Sequence, residues 1–353
     1  MQRRCKPSVL RWLAPSGSCF AVSINRPTAE PSTLTSGDNG GKGAERTWRK
    51  PTMLAVAIGL AAVVLVMVIG LDLSRPGTPG DQALPVAPGS YLGVFVRGVP
   101  ESYSPLRAFT AATGVEPNID LYYSGWHQGF NLRFARQAAG HGAIPFVEID
   151  PRPASLAGIA SGRYDSYLRQ YAAAVRSYQR PVILGFGHEM NAPWYPWGYR
   201  HVSPRIFVSA WRHIVTLFRQ QGARNVTWLW TVNVIDPRAR VRSPGPWWPG
   251  ARYVSWIGID GYYRGPAAEF APQFGPTIRA VDALTHIPVP ILIAEAGVPS
   301  GPGQPAKIAD LLRGVRAYGL LGLVLFDARD WRLQGDAIAA FRRGASAYKI
   351  ARP

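Results

Sequence analysis

Two glutamates each follow a short apolar run. Glu189 stands in Gly185-Phe186-Gly187-His188-Glu189-Met190-Asn191-Ala192-Pro193-Trp194-Tyr195-Pro196-Trp197-Gly198, and Glu295 in Ile291-Leu292-Ile293-Ala294-Glu295-Ala296-Gly297. A carboxyl pair beside aromatic rings suits cleavage of a glycosidic bond. One group protonates the leaving oxygen, the other attacks the sugar, and rings stack on sugar faces. His188 beside Glu189 also admits a metal site, but a His-Glu step without further spaced ligands is weak. His127, His141, His201, His213 and His286 add no ligand spacing, so neither metal nor cofactor is expected.

These groups need elements that aim them at one place. From Ser90 onward, short apolar runs alternate with helical stretches, the pattern of a parallel α/β fold. Eight runs read as strands: Tyr91–Val96, Ile119–Tyr123, Ile144–Ile149, Val182–Phe186, Val226–Thr231, Val254–Ile259, Ile291–Ala294 and Leu321–Phe326. Helical stretches between them include Tyr164–Ser177, Pro204–Gln220, Pro305–Tyr318 and the closing Asp336–Ala347. Eight repeats point to a closed (β/α)8 TIM barrel, which fits in about 250 residues. An open doubly wound sheet would carry a Gly-rich phosphate loop after its first strand, and Val96-Arg97-Gly98-Val99-Pro100 is not one.

In such a barrel the working groups lie at the C-terminal ends of strands. Strand two ends near Trp126, strand three at Glu148 and Asp150, and strand four at His188, Glu189 and Asn191. Strand five offers Trp228, Trp230 and Asn233, strand six Asp260, Tyr262 and Tyr263, strand seven Glu295, and strand eight Asp327, with Asp330 and Trp331 behind it. Trp230 is the better cleft candidate of its pair because it is nearer the strand end. The competing readings are structural: a turn cap for Asp260, a core ring for Tyr262, a satisfied buried histidine for His188, and loop packing for Trp247 and Trp248. Glu148 and Asp150 divide evenly between sugar binding and pairing with Arg152.

Three stretches in order resemble glycoside hydrolase family 26, in the large clan of retaining (β/α)8 hydrolases. They are His188-Glu189-Met190-Asn191 followed by Trp194-Tyr195-Pro196-Trp197-Gly198, then Ile257-Gly258-Ile259-Asp260-Gly261-Tyr262, then Ile293-Ala294-Glu295-Ala296-Gly297. The resemblance covers roughly residues 90–345. It implies Glu189 as acid/base and Glu295 as nucleophile, with Tyr262 hydrogen-bonded to the nucleophile. It further implies His188 and Asp260 as supporting residues and Trp194 as an aromatic sugar platform. Mannan-cleaving members often carry an Arg shortly before the His-Glu pair and a Trp shortly after the nucleophile. Here those places hold Leu184-Gly185-Phe186-Gly187 and Ala296-Gly297-Val298-Pro299. The choice among mannan, glucan and xylan therefore stays open. So does a second class of function, an idle barrel that binds and tethers polysaccharide.

The rest of the chain says where such a domain would work. Residues 1–52 carry nine Lys/Arg and three Asp/Glu in a Ser-, Gly- and Pro-rich context and read as a disordered tail. Met53–Leu71 is apolar and uncharged, long enough to cross a bilayer as a helix. Arg46, Arg49 and Lys50 precede it, so the positive-inside rule keeps the tail in the cytoplasm and exports the remainder. No small-residue cleavage site directly follows, which favours an uncleaved anchor over a released protein. Residues 72–89 are rich in Pro and Gly and read as a spacer before a catalytic domain over 90–353. The net charge is +18, but the Arg residues behind it are scattered rather than striped, which argues against a nucleic-acid partner. The two cysteines, Cys5 and Cys19, both lie in the tail, so the domain holds no disulfide.

Overall fold

The computed structural model describes residues 84–351 apart from Pro266. The expected tail and membrane segment lie outside the described residues. Eight parallel strands close into a barrel in chain order: β1 Tyr91–Val96, β2 Ile119–Gly125, β3 Ile144–Asp150, β4 Val182–Phe186, β5 Val226–Asn233, β6 Trp256–Tyr262, β7 Ile291–Gly297 and β8 Gly322–Asp327. Helices α1 Ser104–Thr113, α2 Leu132–Gly140, α3 Leu156–Ala160, α4 Asp165–Tyr178, α5 Pro204–Gln220, α6 Phe270–Asp282, α7 Gln304–Ala317 and α8 Asp336–Ala345 surround it. The crossover from β5 to β6 departs from the repeat: it has two 3-10 turns, Gly245–Trp247 and Ala251–Tyr253, in place of an α-helix.

Period-two alternation divides the core into two shells. Inward residues such as Tyr91, Ile119, Leu121, Phe146, Ile183, Leu229, Leu292 and Val324 fill the barrel. Outward residues, among them Val94, Tyr122, Leu184, Trp228, Ile257 and Leu323, pack under the helices. Leu84 is buried in the inner cluster, and the Tyr91 hydroxyl donates to the Pro85 carbonyl at 2.7 Å. The last residues of the expected spacer therefore belong to the barrel.

The helices start where the sequence supplies caps. Ser203 accepts from the Ile206 amide, and Pro204 fills the first helical turn of α5, where a missing N–H costs nothing. Asn131 and Ser155 cap α2 and α3 the same way.

Several strands run one to three residues beyond their last apolar position. β5 reaches Asn233, β6 reaches Tyr262 and β7 reaches Gly297. These polar extensions are the rim of the barrel, so hydropathy alone stops short of them. β7 also carries an irregularity. Gly258 pairs with Leu292 but Asp260 pairs with Glu295, one extra residue on β7. Leu292 and Ala294 face inward, so strict alternation would send Glu295 into the helix shell. The extra residue turns it into the mouth, a bulge that re-aims a functional side chain.

Candidate active site

Above the apolar barrel filling, the inward positions become polar. Glu148, Glu189, Asp260 and Glu295 are all buried there. β4 ends at Phe186, and the chain turns through Gly187 (φ 58°) to Glu189, itself at φ 56°. A left-handed conformation costs an L residue roughly 1–2 kcal/mol. Two backbone bonds hold it: the Glu189 amide donates to the Thr231 carbonyl, and the Glu189 carbonyl accepts from the Ala192 amide, both at 2.9 Å. The Glu189 carboxyl accepts from Asn233 Nδ2 at 2.5 Å and from the Trp194 indole N–H at 2.5 Å.

Glu295 has a different set of donors. The Tyr262 hydroxyl donates to one oxygen and the Tyr123 hydroxyl to the other. Beside it stands a partly exposed aromatic group. Phe95 stacks on Phe326 with centroids 4.8 Å apart, and Tyr262 packs against Trp331 at 4.7 Å. Arg264 lies over both the Tyr262 and the Trp331 rings, at 5.6 and 5.8 Å.

Burial raises the proton affinity of the whole carboxyl group. Glu295 is pushed up to about 8, first by burial and then by the Glu189 charge. Glu189 is raised by burial, against the opposing pull of Trp194, Asn233 and Arg264. Glu148 and Asp260 are raised well above the usual carboxylate range, by burial and then, after the lowering Thr231 bond in the case of Glu148, by the neighbouring carboxylates. A proton on Glu189 relieves Glu295 of the Glu189 charge, the second cause of its shift. The two hydroxyl donors favour the Glu295 anion. His188 is pushed down to about 4 by burial, so its ring is neutral. Its Nε2 lies 3.1 Å from the Tyr195 hydroxyl, while its buried Nδ1 has no partner.

The other expected residues divide by placement. Asp260 pairs in register with both Asn233 and Glu295, and its buried Oδ1 lacks a partner. Trp194 is 46% exposed beside Glu189. Asn191 spends its side chain on backbone: Nδ2 donates to the Asn233 and Arg242 carbonyls, and Oδ1 accepts from the Asn233 amide. It ties the β4 loop to β5. Asp327 accepts from the Leu333 amide at 2.6 Å and shapes the loop after β8.

Trp230 and Trp126 are corrections. Trp230 is 0% exposed in the outer shell against Trp248, because alternation from Leu229 and Thr231 points it away from the barrel axis. Trp126 is buried against Tyr167 and Phe186. Neither reaches the cleft.

Tyr123 joins the site without having stood among the expected residues, while Asn233 and Trp331, expected at the ends of strands five and eight, lie beside Glu189 and Tyr262. Counting inward by twos from Ile119 reaches Tyr123, and from Leu229 reaches Asn233. Among the described residues, no cluster of three or more His, Cys, Asp or Glu has the arrangement of a metal site.

Fold and site together define a (β/α)8 barrel with buried carboxylates at the ends of its fourth and seventh strands. The sequence matches the model of Glycosyl hydrolase family 26 over residues 157–295. It is 30% identical over 277 residues to Endoglucanase H of Acetivibrio thermocellus, covering 73% of this chain and 31% of that protein. It is 22% identical over 220 residues to a mannan endo-1,4-beta-mannosidase of Bacillus subtilis, covering 56% of this chain and 57% of that one. Among solved structures, a modular endo-beta-1,4-mannanase from Cellulomonas fimi superposes with TM-score 0.56 at 15% identity, over 73% of this chain and 71% of that one. At that identity the likeness speaks for the barrel alone. The chain belongs to glycoside hydrolase family 26. It spans 31% of the length of Endoglucanase H and 57% of the Bacillus subtilis protein.

Proposed function

We propose that the chain is a retaining endo-β-glycanase that cleaves a β-linked polysaccharide of the mannan or glucan type by double displacement. One observation carries this reading: Glu189 and Glu295 share one buried mouth but have unlike donors, indole and amide N–H against two tyrosine hydroxyls. Glu295 attacks the anomeric carbon as Glu189 gives its proton to the leaving oxygen. Glu189, now ionised, takes a proton from the water that releases the sugar from Glu295. A retaining pair works at a separation of about 5–5.5 Å, which excludes a water between the groups in the first step. Trp194 on one side and Phe326 with Trp331 on the other offer faces for sugar rings.

The relatives' names divide among glucan, mannan and β-1,3-xylan, which supports the backbone class more than any one polymer. The uncharged run Met53–Leu71 behind Arg46, Arg49 and Lys50 supports action outside the cytoplasm from a membrane anchor. A barrel kept only for binding would have no use for the two-hydroxyl cradle of Glu295.

The test is cleavage of mannan, glucomannan, mixed-linkage glucan and xylan by the full-length chain, with Glu189→Ala and Glu295→Ala beside it. Cleavage of one polymer, lost in Glu295→Ala and crippled in Glu189→Ala, is expected. Binding without cleavage by the folded wild type would establish the tethering barrel instead.

A further inference from the structure

A second hollow, of about 650 Å³, lies beside the catalytic loop, lined by Tyr199, Arg200, His201, Arg242, Pro246 and Trp247 among others. Its walls are the segments that follow β4 and β5, so it opens on the same end of the barrel as the carboxylates. It is tied to the loop that carries Glu189. The Tyr199 amide donates to the Met190 carbonyl at 2.8 Å, the Arg242 amide to the Asn191 carbonyl at 3.0 Å, and His201 Nε2 meets the Pro193 carbonyl at 2.9 Å.

The lining has one sign of charge. Arg200 and Arg242 are exposed, no acidic side chain lines the hollow, and among the described residues neither arginine forms an ion pair. Arg242 lies over the Tyr199 ring at 5.1 Å, and Tyr199 meets Trp247 edge-on at 6.2 Å. Ser203 and Pro204, the start of the 17-residue α5, complete the wall, with no acidic residue in its first turn. The buried Trp247 indole N–H has no partner. Unpaired guanidinium groups beside aromatic faces fit a sugar ring that carries a carboxylate.

We propose that this hollow binds an acidic sugar, a hexuronate or carboxylate-substituted hexose, in the leaving-group portion of the polysaccharide. The inference rests on the glycanase reading, because Glu189 protonates the leaving oxygen and so fixes which part of the glycan lies on its side. β4 and β5 stand across the closed barrel from β8 and β1, where Phe95, Phe326 and Trp331 lie. The natural substrate is then an anionic β-glycan rather than a neutral one.

The experiment compares mixed-linkage glucan with the same polymer after partial oxidation of its C6 hydroxymethyl groups to carboxylates. The readout is the ratio of KM values, neutral over oxidised, for the full-length chain. Two partly screened charge contacts correspond to a ratio of about five at low salt. It should fall toward one at high salt and in Arg200→Ala/Arg242→Ala. Arg200→Lys/Arg242→Lys keeps the charge and should keep most of the ratio, which separates charge recognition from damage to the fold. A ratio of one in the wild type, or a ratio that survives in the double alanine variant, overturns the proposal. Calorimetric binding of short oxidised and neutral oligosaccharides reads the same ratio without turnover. Cleavage with no ratio sinks the hollow alone; a binding ratio with no cleavage sinks the enzyme reading alone.

Discussion

Gly185 lies against the Glu148 carboxyl. A Cβ at Gly185 would stand 2.1 Å from Glu148 Oε2 and 2.3 Å from Cδ. The two residues are register partners on β3 and β4, and the space beside Gly185 is filled by this carboxyl. Thr231 holds its other oxygen at 2.6 Å, and Oε2 has no partner. Gly185→Ala must therefore push Glu148 toward Glu189 and Glu295 or spread β3 from β4. Overpacking of this kind costs roughly 1–3 kcal/mol. Denaturant unfolding should register that loss, together with a fall in kcat/KM. An alanine variant as stable and active as the wild type would mean that the Glu148 carboxyl has free room elsewhere.

The different donors of Glu189 and Glu295 predict different defects. In the proposed mechanism Glu189 supplies a proton, and a substrate whose leaving group is already acidic does not need one. Glu189→Ala should lose about 10²–10⁴-fold on polysaccharide but far less on an aryl glycoside with an activated phenol. Glu295→Ala should fail on both, since no leaving group replaces the nucleophile. Steady-state rates on the two substrates decide it, and equal losses for both variants on both substrates would reverse or dissolve the assignment.

Most of the barrel was legible before the structure. β1 and β4 run over the residues that the apolar runs mark, and α5 is bounded by its Pro204 start. The polar ends of β5, β6 and β7 were not, because hydropathy ends where the site begins. Trp230 was misplaced because nearness to the strand end was weighed above parity. Thr231 and Asn233 are the inward neighbours that parity selects, and both serve the site. The bulge on β7 is invisible to any alternation rule. Glu295 could be picked out only by its motif, since counting from Leu292 aims it at the helices. Tyr123 required both parity on β2 and the knowledge that its hydroxyl spans the mouth to Glu295 on β7.

Tyr123 and Tyr262 bear on the acidic limb of the pH profile. Each donates to Glu295, and each donor favours its anion, the form that attacks in the proposed mechanism. Removing either hydroxyl raises the proton affinity of Glu295, so a higher pH is needed to ionise it. Tyr123→Phe and Tyr262→Phe should each shift the acidic limb of kcat/KM upward. A charge-assisted hydrogen bond is worth about 1.5–3 kcal/mol, or roughly 10–100-fold in rate if it acts on the attacking anion. A pH–rate series on both variants checks the sign. An unmoved limb in Tyr123→Phe would reduce that residue to packing.

Asp120 offers a stability test away from the reacting groups. It is buried, accepts a hydrogen bond from the Tyr103 hydroxyl at 2.7 Å, and is raised from 3.8 to about 7, chiefly by burial. Between those values the folded chain holds a proton there that the unfolded chain has released. Stability tied to this group is therefore fully present below pH 4 and declines as the pH rises toward 7, by a few kcal/mol in all at about 1.4 kcal/mol per unit. Asp120→Asn cannot ionise and should flatten that part of the slope. Its unfolding free energy should gain on the wild type as the pH rises from 4 to 7, and parallel curves for the two proteins would mean that Asp120 stays charged and adequately solvated in the fold.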